Sequence, residues 1–234
     1  MQSFATQLPL GLNPQHVYQL SNFHFSQAEL QQALRDFCDL STIDFLYLWG
    51  EAASGKSHLL IALMEQIQQS GKRTVYLPLA DLVGTTSPEV LLSLEQLDLL
   101  CIDELETIAG LKDWEEAIFH CFNRLQNTGC QLVIASTSSP AMSKIQLADL
   151  RSRLATGLIY QLETLNDDAK QQALIVQAQS RGLDLAEEVV HYLLRHHSRD
   201  MRELMALLQR LDKASMIEKR RLTIPFVRQV LLTA

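Results

Sequence analysis

No apolar run in this chain approaches the roughly 20 residues that a helix needs to cross a bilayer, so an integral membrane protein of the helical kind is excluded. The N-terminal stretch carries neither a basic segment nor a long apolar one, and no secretory signal is expected there. Low-complexity tracts are also missing, and 47% of the residues are hydrophobic, which is the composition of an ordered globular chain. Cysteine is scarce. Cys38, Cys101, Cys121 and Cys130 form no C-x-x-C pair, and three of them lie in apolar stretches. Buried free thiols in a reducing cytoplasm are the expectation. The seven histidines show no ligand spacing, and His196 and His197, adjacent on a helix, point in different directions; a metal site of that kind is not expected. Positive charge is in deficit too, at a net charge of −7. A DNA-binding domain normally presents a basic face, so this chain is not expected to grip DNA by itself. Its one short basic run, Lys219-Arg220-Arg221, reads as a solvated helix end.

What is present is a phosphate-binding signature. Gly50-Glu51-Ala52-Ala53-Ser54-Gly55-Lys56-Ser57 fits G-x-x-x-x-G-K-[ST]. The motif needs a strand before it and a helix after it. Asp44 to Trp49 reads as a short buried strand, and the residues from His58 to Met64 continue as a helix without a breaker. Glycines let successive backbone N–H groups curl around a polyphosphate, and the positive end of the helix faces the same charge. Lys56 can reach the terminal phosphates and the Ser57 hydroxyl can hold Mg²⁺.

A second strand is expected over Arg73–Pro78, followed by a loop and a helix with Pro88 near its start. Leu97-Asp98-Leu99-Leu100-Cys101-Ile102-Asp103-Glu104 then reads as a buried parallel strand ending in paired acids. After a P-loop this is a Walker B strand, with Asp103 holding Mg²⁺ and Glu104 orienting or deprotonating a water. Asp113 with Glu116 is expected to form a capping box, opening a helix with Trp114, Ala117, Ile118, Cys121, Phe122 and Leu125 on its apolar stripe. Another strand, Gln131–Ala135, runs into Ser136-Thr137-Ser138-Ser139, whose hydroxyls should face the same crevice, either reading a γ-phosphate or forming a plain polar loop. Arg151 and Arg153 lie on a short helix before the last strand, Leu158–Leu162.

Alternating strands and helices to this point predict a doubly wound parallel α/β sheet. From about Asn166 the period becomes purely helical, with Asn166 capping, Gly182 terminating, and Thr223 and Pro225 opening the last helix. The predicted organisation is a tail over 1–15, an α/β nucleotide-binding domain over 16–164, and a small all-α lid over 165–234. In the tail, Leu8, Leu10 and Leu12 alternate behind Gln7; an extended segment would turn them to one side, as a docking peptide or as a strand folded back on its own domain. Tyr18, Phe23 and Phe25 can stack on a base or cover the core.

Taken together, Cys101-Ile102-Asp103-Glu104, Leu150 to Leu154, Asp200-Met201-Arg202-Glu203-Leu204 and Leu222 to Val227 resemble the AAA+ ATPases, and within them the DnaA-related family of bacterial replication proteins. The resemblance covers essentially the whole chain. It implies ADP (or ATP) with Mg²⁺ as cofactors, held by Gly50, Glu51, Ala52, Ala53, Ser54, Gly55, Lys56, Ser57 and His58, with Phe23 near the nucleotide and Ser57 and Asp103 on the metal. Arg202 matches the sensor 2 arginine and Arg153 the arginine finger that acts on a neighbour's γ-phosphate. Thr137 falls at the sensor 1 position, where the family usually has a polar run ending in Asp; this chain departs from that pattern. Gln7, Leu8, Leu10 and Leu12 are similar to the motif that binds the DNA polymerase III sliding clamp, its beta subunit. DnaA carries a further helix-turn-helix domain that this sequence does not extend into, so direct specific DNA binding is not expected. The resemblance thus implies a cytoplasmic negative regulator of replication initiation, brought to the nucleoid by the clamp, that stimulates ATP hydrolysis by DnaA in trans and self-associates. An autonomous ATPase such as a helicase loader, which intact Lys56, Asp103 and Glu104 permit, and a nucleotide-stabilised interaction module are the alternatives.

Overall fold

The structure, a computed structural model, describes residues 18–39, 43–126, 128–218 and 220–232. The tail residues Gln7, Leu8, Leu10 and Leu12 and the basic-run residue Lys219 lie outside the described residues. Five strands, β1 (Phe45–Trp49), β2 (Thr74–Pro78), β3 (Leu99–Asp103), β4 (Gln131–Ser136) and β5 (Leu158–Gln161), form one parallel sheet in the order β2-β3-β4-β1-β5. Its helices are α1 (Ala28–Cys38), α2 (Lys56–Gln69), the single turn α3 (Leu79–Leu82), α4 (Lys112–Leu125) and α5 (Ala148–Leu154).

The sequence pattern explains why both faces are covered. Successive side chains of a strand point to opposite sides, so a run that is apolar at every position needs a layer on each. Leu46 and Leu48 of β1 pack with Leu34 and Phe37 of α1 and Leu59, Leu60 and Leu63 of α2. Phe45 and Tyr47 point the other way, into a core with Trp114, Ile118 and Phe122 of α4 and Leu150 and Leu154 of α5. Packed against β2, β3 and β4 and flanked by α1, α2 is buried on most sides, and Leu59 through Met64 are all core. Cys101, Cys121 and Cys130 are buried free thiols; burial raises Cys121 to about 11 and Cys130 to about 12, which makes them packing groups.

Two local expectations are corrected. The interval after β2 holds α3 and a 3-10 turn at Pro88–Leu91 in place of a longer helix, since Gly84 and Pro88 interrupt it within five residues. Asp113 does not cap α4: the N-cap is Leu111, two residues earlier, which puts Asp113 inside the first turn where its charge favours the dipole. The buried acid of that turn is Glu115, whose carboxylate accepts from the backbone N–H groups of Gly110 (2.7 Å), Gln146 (3.0 Å) and Leu147 (2.7 Å).

The helical lid consists of α6 (Asp167–Ser180), α7 (Glu187–His196), α8 (Met201–Glu218) and α9 (Ile224–Leu232). Asn166 caps α6 by accepting from Ala169 N–H at 2.8 Å, and Asp200 caps α8 by accepting from Arg202 N–H at 2.7 Å. The lid core is wholly apolar, built on Leu174, Val190, Leu204, Leu207, Leu208 and Phe226. Gln177, buried on α6, donates to the Asn22 carbonyl at 3.0 Å and so ties the lid to the segment that precedes α1. Among the described residues no helix is long and apolar enough to cross a membrane.

Candidate functional site

Parallel strands bring their carboxyl ends to one edge of the sheet, and there the strand order decides which residues meet. With β4 between β1 and β3, the loop after Trp49, the acids after Ile102 and the polar run after Ala135 become neighbours. They line a cavity of about 460 Å³, closed on its far side by lid residues Met201, Arg202 and Met205.

The P-loop is shaped by backbone conformation. Ala53 and Gly55 both have positive φ, 62° and 96°. At Gly55 only glycine fits for a second reason: a Cβ there would lie 2.6 Å from the Phe23 ring, which is seated on the loop. At Gly50 a Cβ would collide with the Leu162 carbonyl oxygen, so the loop can leave the sheet only where β5 ends. Gly50 N–H donates to Ser136 O at 3.2 Å, joining the start of the loop to the end of β4. Lys56 opens α2 and is buried; its ammonium donates to the Gly50 and Glu51 carbonyls at 2.7 and 2.8 Å. Burial lowers its pKa, the charges of Glu106, Asp103 and Glu104 oppose that, and Arg202 adds to it.

Asp103, at the end of β3, is 1% exposed. Its Oδ1 accepts from Glu104 N–H at 2.9 Å and its Oδ2 from the Tyr76 hydroxyl at 2.8 Å. Burial first, and then the charge of Asp103, push the Tyr76 hydroxyl far above the ordinary tyrosine range, so it stays a donor, with the nearby Ser57 hydroxyl opposing the rise. Glu104 sits at φ 58°, a left-handed conformation that turns its side chain out of the strand. Burial, together with Asp103 and Glu106, raises the Glu104 pKa, which suits a group asked to accept a proton.

The chain thus brings Ala52, Ala53, Ser54, Gly55, Lys56, Ser57, His58, Phe23, Asp103, Glu104, Thr137 and Arg202 to one cavity. Phe23 covers the core shared by α1 and α2, edges His58 with ring centres 5.3 Å apart, and also lines the cavity. The Ser136 hydroxyl and the Thr137 N–H each donate to Glu106 Oε2 at 3.0 Å. Arg153 is not in the cavity. It lies half-buried at the end of α5, and among the described residues its side chain makes no hydrogen bond or ion pair, while its carbonyl accepts from Thr156. Arg151, two positions earlier, is tied back to the carbonyls of Ile145 and Gln146.

Sequence reasoning missed three residues. Glu106 carried a faint signal, as a third acid close behind Asp103 and Glu104. Tyr76 and Glu115 carried none, since each acts on a partner more than 25 residues away. The buried lysine among carbonyl oxygens, the positive-φ loop at a helix start, and Ser57 and Asp103 on the same cavity form a donor set that fits a Mg²⁺-polyphosphate.

Comparison with known proteins agrees with this geometry. A family model of the Hda lid domain matches residues 167–231. Domain III of the Thermotoga maritima replication initiation protein DnaA is similar in structure over 96% of this chain and 98% of that one, with a TM-score of 0.76 and 23% identity. AMPPCP-bound DnaA from Aquifex aeolicus is similar over 89% of this chain and 68% of that one, with a TM-score of 0.68 and 24% identity. RuvB, the Holliday junction branch migration motor of Thermotoga maritima, shares the fold at a TM-score of 0.66 and 16% identity, over 94% of this chain and 72% of that one. The family model of the bacterial DnaA ATPase domain matches residues 28–161, more than half of the sequence. With its P-loop, its Walker B strand and that match, the chain belongs to the bacterial DnaA ATPase domain family.

Proposed function

We propose that this chain is a nucleotide-bound negative regulator of replication initiation, which acts on the ATP held by a neighbouring DnaA molecule. In its own cavity, Lys56 and the P-loop N–H groups would bind the phosphates of ADP (or ATP), and Ser57 and Asp103 would hold Mg²⁺, whose charge offsets that of the phosphates. Arg202 would couple the lid to the bound nucleotide.

The observation that carries the reading is the contrast between the arginines. Arg202 faces the chain's own cavity, whereas Arg153 stands outside it with its guanidinium uncommitted. The helix behind Arg153 is held by Glu115 through Leu147 N–H and by Arg151 through the Ile145 and Gln146 carbonyls. A planar cation on a fixed helix end suits a γ-phosphate belonging to a second subunit. The similarity to the Hda lid domain and to DnaA supports DnaA as that subunit.

Hydrolysis of ATP by DnaA, measured with this protein and clamp-loaded DNA, is the test. The wild-type chain should accelerate it, and Arg153→Ala should remove about 10³-fold of that acceleration, as loss of an arginine finger does. An undiminished rate with folded variant overturns the reading. Loss of clamp binding in Gln7→Ala would support recruitment through the tail. The second reading, an autonomous ATPase, is favoured by Glu104, whose raised pKa and outward turn suit a proton acceptor. Single-turnover hydrolysis by the isolated chain separates the two.

A further inference from the structure

Tyrosine and phenylalanine fill nearly the same space, so a buried tyrosine is distinguished by what its hydroxyl does. Tyr76, on β2, is buried and lies opposite Cys101 of β3 in the parallel register. Side chains two apart on a strand share a face, so Asp103 stands diagonally ahead of Tyr76 on the face covered by α2. The Tyr76 ring belongs to the core on that face, with Leu60 and Leu63 of α2. Its hydroxyl reaches past Cys101 and donates to Asp103 Oδ2 at 2.8 Å, while Oδ1 of the same carboxylate accepts from Glu104 N–H at 2.9 Å.

We infer that Tyr76 is a positioning residue for Mg²⁺, whose hydroxyl holds the Asp103 carboxylate in the orientation that receives the ion. This rests on the nucleotide and metal reading above and adds the residue that prepares the metal ligand. The last torsion of an aspartate is broad, so a carboxylate held by one hydrogen bond can pivot about the bonded oxygen. A donor on each oxygen fixes its plane. Those donors take two of the roughly four lone-pair sites of a carboxylate and leave the others for a cation or its water. Asp103 lines the cavity and Tyr76 does not, so the hydroxyl acts on a metal only through the carboxylate. Packing alone would be served by phenylalanine, which would leave Oδ2 of this 1% exposed carboxylate without its donor.

The test is calorimetric titration of the full chain with ADP, in EDTA and in excess Mg²⁺, for wild type and Tyr76→Phe. The substitution keeps the ring and removes the donor. Wild type should bind ADP at least about tenfold more tightly with Mg²⁺ than without it. Y76F should lose about tenfold of that enhancement, as loss of a hydrogen bond to a metal ligand does, while its affinity in EDTA stays within about twofold of wild type. A merely structural role would weaken both affinities alike or change neither, and either result overturns the inference. Wild type that binds no ADP would instead overturn the nucleotide-binding reading beneath it, and ADP binding indifferent to Mg²⁺ would overturn the placing of the metal on Ser57 and Asp103. A measurement free of variants covers the case of a poorly folded Y76F. In wild type carrying tyrosine labelled with ¹³C at Cζ, adding Mg²⁺ to the ADP-bound protein should move a tyrosine resonance, and absence of any shift overturns the inference.

Discussion

The sheet domain and the lid are stabilised in different ways. The sheet domain buries Lys56, Asp103, Glu115 and Gln131 and finds partners for each within a few ångströms. Among the described residues, the lid core contains only leucine, valine, phenylalanine and alanine, and its one buried polar side chain, Gln177, points at the other domain. A wholly apolar core tolerates exchange of shape for shape, whereas a buried charge is bound to one geometry. The sheet domain therefore fixes groups in place, and the lid provides a stable body that carries Arg202 to the cavity.

The sharpest way to break this contrast is Glu115→Ala. It leaves the N–H groups of Gly110, Gln146 and Leu147 without their acceptor, at about 3–6 kcal/mol if each costs about 1–2. Urea unfolding should show the loss in the sheet domain, and hydrogen exchange in α6–α9 should be little changed. The mirror experiment is Phe226→Ala in the lid, where an apolar void should cost about 3–5 kcal/mol. Exchange should then rise in the lid while the sheet stays protected, and equal loosening of both would refute their independence.

Tyr47 sharpens the comparison through pH. It is fully buried, and burial raises its pKa from 10.0 to about 12. Because the folded value exceeds the unfolded one, its contribution is complete below pH 10.0 and is lost as pH rises toward about 12. The two-unit difference is worth about 2–3 kcal/mol, and Tyr47→Phe should flatten the alkaline decline of the urea midpoint. The smallest effect is at Asp200→Ala, where losing the α8 cap should cost about 1 kcal/mol, seen as a slightly lower lid melting temperature.

These elements were not equally legible in the sequence. The P-loop, the β3 acids and the lid caps at Asn166 and Gly182 depend on neighbours a few residues away, so spacing alone reveals them. The start of α4 was misplaced because Asp113 and Glu116 imitate a capping box, while Glu115 takes its partners from residues 146 and 147. Glu106 left only a faint trace for a similar reason: its hydrogen-bond partners come from β4 lying next to β3, a pairing that no short motif encodes.

The short helix α5 is fastened at its start by Glu115 and by Arg151, which grips the residues just before it. If a second molecule docks there, as proposed, only the Arg153 side chain has to give up rotational freedom, at about 0.5–1.5 kcal/mol, and no backbone has to be ordered. Most of the attraction between that guanidinium and an incoming anion is thus available for the encounter itself.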